Sequence, residues 1–107
     1  MEMNQYQIVL VNLDPIQGVE IKKTRPCVII SPDEMNQHLK TLVVAPMTTT
    51  SKPYPTRVVI THNKIKGWVV LDQIRSIDKS RVIKNYKRLS DNEISQIKSV
   101  LRETYVD

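Results

Sequence analysis

Five short apolar runs constrain this chain more than any other feature: Ile8 to Val11, Cys27 to Ile30, Leu42 to Ala45, Val58 to Ile60 and Trp68 to Leu71. They show little helical period, all but one are dense in valine or isoleucine, and each is bounded by proline, glycine or polar residues. That pattern predicts buried strands. Turn signals separate them. Asp14-Pro15-Ile16-Gln17-Gly18 follows the first run and Ser31-Pro32-Asp33 closes the second. Pro53 and Pro55 bracket Tyr54 after the third, and Asn63-Lys64-Ile65-Lys66-Gly67 leads into the fifth. Five or more short strands with so few helical residues predict a curled sheet or small barrel.

The C-terminus changes period. Ser90-Asp91-Asn92-Glu93 fits a capping box, with Ser90 at the N-cap and Glu93 three residues on. Behind it Ile94, Ile97, Val100 and Leu101 share one helical face, extended by Tyr105, while Lys98, Arg102 and Glu103 take the other. This predicts an amphipathic helix laid on the sheet. A short helical turn is expected from Asp33 to Leu39. With 107 residues and no repeat or linker, residues 1–107 are expected to form one domain.

Several classes of chemistry are disfavoured. No segment approaches the roughly 18 apolar residues that a membrane helix needs, and Met1 to Gln5 lacks the pattern of a secretion signal. A cytoplasmic protein with no membrane partner is expected. The single cysteine, Cys27, cannot form an internal disulfide, and its apolar surroundings suit a small buried hydrophobe better than a nucleophile. His38 and His62 stand far apart, and neither has a Cys or His at ligand spacing, so no metal or cofactor is expected. The net charge of +5 favours a polyanionic partner, either nucleic acid or an acidic peptide.

Three polar sets stand at the ends of the apolar runs. The first runs from Gly18 to Arg25 and carries Glu20, Lys22, Lys23 and Arg25 before Pro26. Proline fixes its own φ and biases Arg25 towards extended backbone, which holds the guanidinium on a stiff element. Such a fork suits phosphate oxygens, although a surface arginine before a strand has the same sequence. The second set, Thr48-Thr49-Thr50-Ser51-Lys52, follows the third run; its hydroxyls can cap a turn or meet a ligand. The third is Asp72-Gln73-Ile74-Arg75-Ser76-Ile77-Asp78, in which Asp72 and Arg75 can pair at the rim. Lys79 to Arg88 adds five cations and no acid, as a solvated edge strand or as a patch that tracks a phosphate backbone.

These blocks resemble, in order and spacing, the MazF/PemK family of toxin endoribonucleases from toxin–antitoxin modules. The matching residues are Asp14-Pro15, Gly18, Glu20 and Thr24-Arg25-Pro26, then Ala45-Pro46-Met47-Thr48-Thr49, Ser51-Lys52 and Tyr54-Pro55, then Asp72 to Asp78. The resemblance covers nearly the whole chain. It implies an SH3-like barrel of the CcdB/PemK type, mostly β with a C-terminal helix. It also implies a homodimer that cuts single-stranded mRNA without metal, and a cognate antitoxin whose acidic tail covers the site. Arg25 and Thr48 match the family's catalytic arginine and threonine, and Glu20 matches a loop acid that contributes in some members. Some branches carry a histidine at the position of Val19 and an arginine at that of Val70; those groups are missing here.

The residue chemistry supports the same assignment. Attack by a ribose 2′-hydroxyl needs a base, stabilisation of a dianionic phosphorane and an acid for the departing 5′-oxygen. Arg25 suits the middle task and Thr48 can add one hydrogen bond. Glu20 is the nearest plausible base, and the acid is unassigned, since an arginine pKa above about 12 makes a poor proton donor. Lys22, Lys23, Thr49, Lys52, Tyr54, Asp72, Gln73, Arg75, Lys79 and Arg81 are expected to contact RNA. Tyr54, held between prolines, suits base stacking, and Trp68 suits packing. Two other functions use the same features: a gyrase poison of the same fold that acts by binding, and a non-catalytic nucleic-acid-binding module.

Overall fold

The computed structural model describes residues 2–13, 24–62 and 65–107, with backbone only at Ile65. Strands β1 (Gln7–Asn12), β2 (Thr24–Ile29), β3 (Thr41–Thr48), β4 (Arg57–His62), β5 (Ile65–Val70), β6 (Arg75–Asp78) and β7 (Val82–Arg88) form one antiparallel system. The order is β4-β5-β3-β2-β1-β7, with β6 also paired to β3. Helix α1 (Asp33–His38) joins β2 to β3, and α2 (Asp91–Leu101) follows β7. The result is a curled half-barrel sheet with a C-terminal helix, in agreement with the expected fold class.

Each apolar run became a strand because both faces of the central sheet are covered. Alternate residues of β1 to β3 feed two separate cores. Ile8, Val28, Ala45 and Met47 join Val58, Ile60, Val69 and Leu71 on one face. Val9, Val11, Cys27, Ile29, Leu42, Val44 and Ile77 fill the other. Cys27, Val28 and Ile29 are all 0% exposed, so the sequence there reads as an unbroken apolar run rather than an alternation.

Helix α2 closes the first core with Ile94 and Ile97, and Val100 and Leu101 pack beside them. The capping box is present: Glu93 N–H donates to Ser90 Oγ at 3.2 Å, and Ser90 N–H donates to Glu93 Oε1 at 3.0 Å. The second oxygen of Glu93 accepts from Thr61 N–H of β4 at 3.1 Å. One carboxylate therefore caps the helix and ties it to the terminal strand of the sheet. It blocks part of an edge that would otherwise offer free backbone donors. Tyr105 extends the helical face as expected, donating its hydroxyl to Leu71 O at 2.5 Å.

Boundaries moved in three places. β3 runs on to Thr48, so the threonine cluster begins on the strand and not after it. β5 starts at Ile65, so Gly67 is a strand residue opposite Ile60 and not the end of a turn. The third polar set contains a strand of its own, β6, paired through Leu42↔Ile77 and Val44↔Arg75. Among the described residues no helix is long and apolar enough to cross a membrane.

Candidate active site

β2 and β3 pair through Cys27↔Pro46, Val28↔Ala45 and Ile29↔Val44. The same register continued by two residues sets Arg25 alongside Thr48. Side chains alternate along a strand, so Arg25 and Thr48 belong to the face that carries Cys27, Ile29, Leu42 and Val44. β6 adds Arg75 to this face, opposite Val44. Three stretches far apart in sequence thus bring two guanidiniums and a hydroxyl to one end of one sheet face.

The electrostatics agree with that placement. Burial pushes the Cys27 thiol up to about 12, while the nearby Arg25 and Arg75 charges oppose the rise. Both arginines are therefore close enough to act on the same sulfur. The Cys27 thiol donates to Arg25 O at 3.6 Å, a further tie on the Arg25 backbone. Its role is that of a buried hydrophobe, as expected.

Thr48 is half-buried and its hydroxyl is engaged locally. It donates to Thr50 O at 3.1 Å and accepts from Thr50 N–H at 3.3 Å. This is the turn-capping arrangement open to any threonine at a strand end. Trp68, half-buried, lies opposite Thr48 on β5 and opposite Val59 on β4. Thr49 is exposed and follows directly.

The loop after β3 is pinned by Arg57, a residue the sequence did not single out. Its Nη1 donates to Ser51 Oγ at 2.6 Å, its Nε lies 3.5 Å from Asp72 Oδ1, and its guanidinium sits 4.9 Å from the Tyr54 ring centre. Thr56 donates its hydroxyl to the same Asp72 oxygen at 2.9 Å. Asp72 thus meets Arg57 and not Arg75, with which it could have paired at the rim, because β6 carries Arg75 towards Cys27 while Asp72 stays in the turn before it. For Asp72, partial burial raises the carboxyl pKa, but hydrogen bonds from Thr56, its own backbone and Arg57 outweigh it and the net shift is downward. Tyr54 remains exposed at the loop tip, with one face occupied by Arg57. The i, i+3 spacing of Tyr54 and Arg57 was the available signal. Lys52 and Gln73 are exposed beside this network.

The basic run divides. Arg81 donates to Asn12 O at 3.3 Å, at the end of β1 where its neighbour β2 begins with Thr24 and Arg25. Lys79 instead donates to Asn36 O on α1, near the start of β3, and does not join Arg25 and Thr48. Val82 to Arg88 form the terminal strand on β1, the edge-strand arrangement. Glu20, Lys22 and Lys23, with the rest of residues 14–23, lie outside the described residues. Among the described residues no three His, Cys, Asp or Glu side chains gather where they could hold a metal ion.

A cavity of about 160 Å³ opens beside Thr48, lined by Pro26, Met47, Thr48, Thr49, His62, Lys66 and Gly67. Burial, with a smaller contribution from Lys87, lowers the pKa of His62. Its ring meets Tyr86 edge-on at 4.6 Å. Sequence reasoning missed this cavity; its signal was Gly67, since a glycine inside a strand marks close approach.

Comparison with known proteins settles the family. Residues 4–105 match the family described as PemK-like, MazF-like toxin of type II toxin–antitoxin system. The chain belongs to that family. A relative from Staphylococcus saprophyticus subsp. saprophyticus, an endoribonuclease MazF, is 32% identical over 105 residues, covering 92% of this chain and 88% of the relative. Two solved structures share the fold. A MazE–MazF structure from Deinococcus radiodurans superposes with a TM-score of 0.81 at 24% identity, covering 96% of this chain and 95% of the other. A mycobacterial endoribonuclease in complex with its cognate antitoxin gives 0.80 at 22% identity, with 94% and 92% covered.

Proposed function

We propose that this chain cuts single-stranded mRNA at selected sequences, without a metal ion, by attack of a ribose 2′-hydroxyl on the adjacent phosphorus. The products are a 2′,3′-cyclic phosphate and a 5′-hydroxyl. Membership of the family makes it a MazF-like endoribonuclease toxin of a toxin–antitoxin system. The observation that supports the chemical reading is the β2/β3 register from Cys27↔Pro46 to Ile29↔Val44, which when continued by two residues aligns Arg25 with Thr48.

Arg25 offers two parallel donors to the non-bridging oxygens, where charge grows as the phosphorane forms. Thr48 gives up its bond to Thr50 O and donates to the same phosphate, so its contribution is a difference between two hydrogen bonds. Glu20 takes the 2′-hydroxyl proton, and the departing 5′-oxygen takes one from water. Arg75 and Arg81 add positive charge along the same end of the sheet, and Lys22, Lys23 and Lys52 add more charge for the RNA backbone. Thr49, Tyr54 and Gln73 contact the strand of RNA, and Asp72 acts by holding Arg57 and the Tyr54 loop. The working unit is a homodimer in the cytoplasm. An antitoxin with an acidic C-terminal tail competes with RNA for the cationic surface, in keeping with the net charge of +5.

The test is to incubate purified protein with a long RNA in excess EDTA and map the cut ends. Cleavage at recurring short sequences is expected, with the ends named above. Arg25→Ala and Thr48→Ala should each lower the rate by about 10²-fold or more, the scale of one lost preorganised donor. Near-normal cleavage by Arg25→Ala would defeat the assignment, and activity lost in EDTA but restored by magnesium would defeat the metal-free chemistry. Tight binding of RNA or of gyrase with no cutting would favour a binding role instead.

A further inference from the structure

Arg57 has no direct part in the chemistry just described, yet it holds the segment that follows Thr48. We infer that Arg57 is a positioning residue: through Ser51 it fixes the turn whose Thr50 peptide aims the Thr48 hydroxyl at the phosphate. This rests on the ribonuclease reading above.

Four observations carry the inference. β5 pairs Trp68 with Thr48 of β3 and with Val59 of β4, so Arg57, two residues before Val59, shares the sheet face of Thr48. Next, Thr50 N–H donates to Thr48 Oγ1 at 3.3 Å, while the hydroxyl proton rests on Thr50 O at 3.1 Å. The first bond occupies an acceptor site of the oxygen and leaves the proton to turn from Thr50 O to an incoming phosphate. Thr50 lies past the end of β3, so the strand ladder does not fix it.

The third observation is the brace itself. Ser51, the next residue, accepts from Arg57 Nη1 at 2.6 Å. The guanidinium is held in turn by Asp72 Oδ1 at 3.5 Å and by the Tyr54 ring at 4.9 Å, and the side chain is only 18% exposed. An arginine engaged by three partners and mostly buried supports a loop; it is not a free phosphate ligand. Finally, the segment is stiff. Thr49 to Thr56 contains two prolines and no glycine. Tyr54 N–H donates to Lys52 O at 2.7 Å, and Arg57 N–H donates to Tyr54 O at 3.1 Å. A displacement at Ser51 therefore passes to Thr50 and is not absorbed between them.

Arg57→Met keeps the aliphatic stem and removes every side-chain donor, and Ser51→Ala removes only the contact with the loop. Single-turnover cleavage of a defined RNA is measured for each, alone and combined with Thr48→Val. A misplacement of about 1 Å costs about 10²-fold, so loosening this brace should lower the saturated rate by about 10-fold in Arg57→Met and about 3-fold in Ser51→Ala. With Thr48→Val no hydroxyl is left to aim, and Arg57→Met should then cost less than about 2-fold. Equal losses with and without the Thr48 hydroxyl overturn the inference while leaving the nuclease reading intact. The same comparison made with Ser51→Ala decides the matter if Arg57→Met fails to fold.

Two measurements do not depend on cutting. The Thr50 amide NMR signal, whose bond to Thr48 Oγ1 is lost in Thr48→Val, should shift in Arg57→Met and in Ser51→Ala as well. An unmoved signal in both overturns the inference. Binding of an uncleavable 2′-O-methyl RNA should keep its salt slope in Arg57→Met. A slope reduced by about 1 makes Arg57 a direct phosphate contact and overturns the positioning role. A parent protein that cuts no RNA overturns the nuclease reading, and this role for Arg57 with it.

Discussion

Replacing Glu93 by alanine isolates the contact that fastens the C-terminal helix to the sheet. The carboxylate accepts one N–H from Ser90 at the helix start and another from Thr61 at the sheet edge. Loss of the capping-box contribution costs about 1 kcal/mol. The bond from Thr61 is charge-assisted and would be worth about 1.5–3 kcal/mol if fully buried. Thr61 is exposed, however, so water replaces much of it and roughly 1 kcal/mol remains. The sum is about 2 kcal/mol, which for a domain of this size lowers the melting temperature by roughly 10 °C. Glu93→Gln keeps one acceptor and should lose about half as much.

The pH dependence tests the cause. Partial burial raises the Glu93 pKa, but hydrogen bonds from Ser90 and Thr61 and the Lys87 charge outweigh it, so the folded value is lowered. A lowered folded value means the carboxylate's stabilisation is complete above the unfolded glutamate pKa of about 4.3 and disappears as pH falls through the folded value. Urea unfolding of parent and Glu93→Ala at neutral pH and at several acidic pH values measures both effects. The gap should be near 2 kcal/mol at neutrality and should close in acid. A neutral-pH gap below about 0.5 kcal/mol, or one that does not change down to the acid limit, would refute the clamp.

Three shorter predictions use the same geometry. Asp72→Asn should cost less than about 1 kcal/mol in urea unfolding, because the Arg57 pair is partly exposed; it should slow cleavage far less than Arg25→Ala, and an equal loss would make Asp72 catalytic. Cys27, 0% exposed with its pKa pushed up to about 12, should resist a thiol reagent at pH 8 in folded protein and react once unfolded; rapid labelling of the folded protein would contradict its burial. If about four cations contact phosphates, log affinity for single-stranded RNA should fall with log salt at a slope near −3, and a flat titration would remove the cationic rim from the interface.

The parts of this protein that were legible in its sequence are those governed by neighbours along the chain. Valine- and isoleucine-rich runs of three or four residues marked five strands, and Ser90 with Glu93 marked the start of α2, because period and capping act within a few residues. The threonine, arginine and Asp72-to-Asp78 blocks pointed to the family for the same reason: each motif is local. Partner choice is different. That β6 lies on β3 and brings Arg75 near Cys27, that Arg57 rather than Arg75 meets Asp72, and that Glu93 reaches Thr61 all depend on strands aligned across dozens of residues. An unbroken apolar run such as Cys27-Val28-Ile29 does not reveal which side chain enters which core, since both faces are buried. Only the register between strands selects the face, and with it whether Arg25 and Thr48 point the same way and whether Gly67 leaves room beside Met47 on the other face.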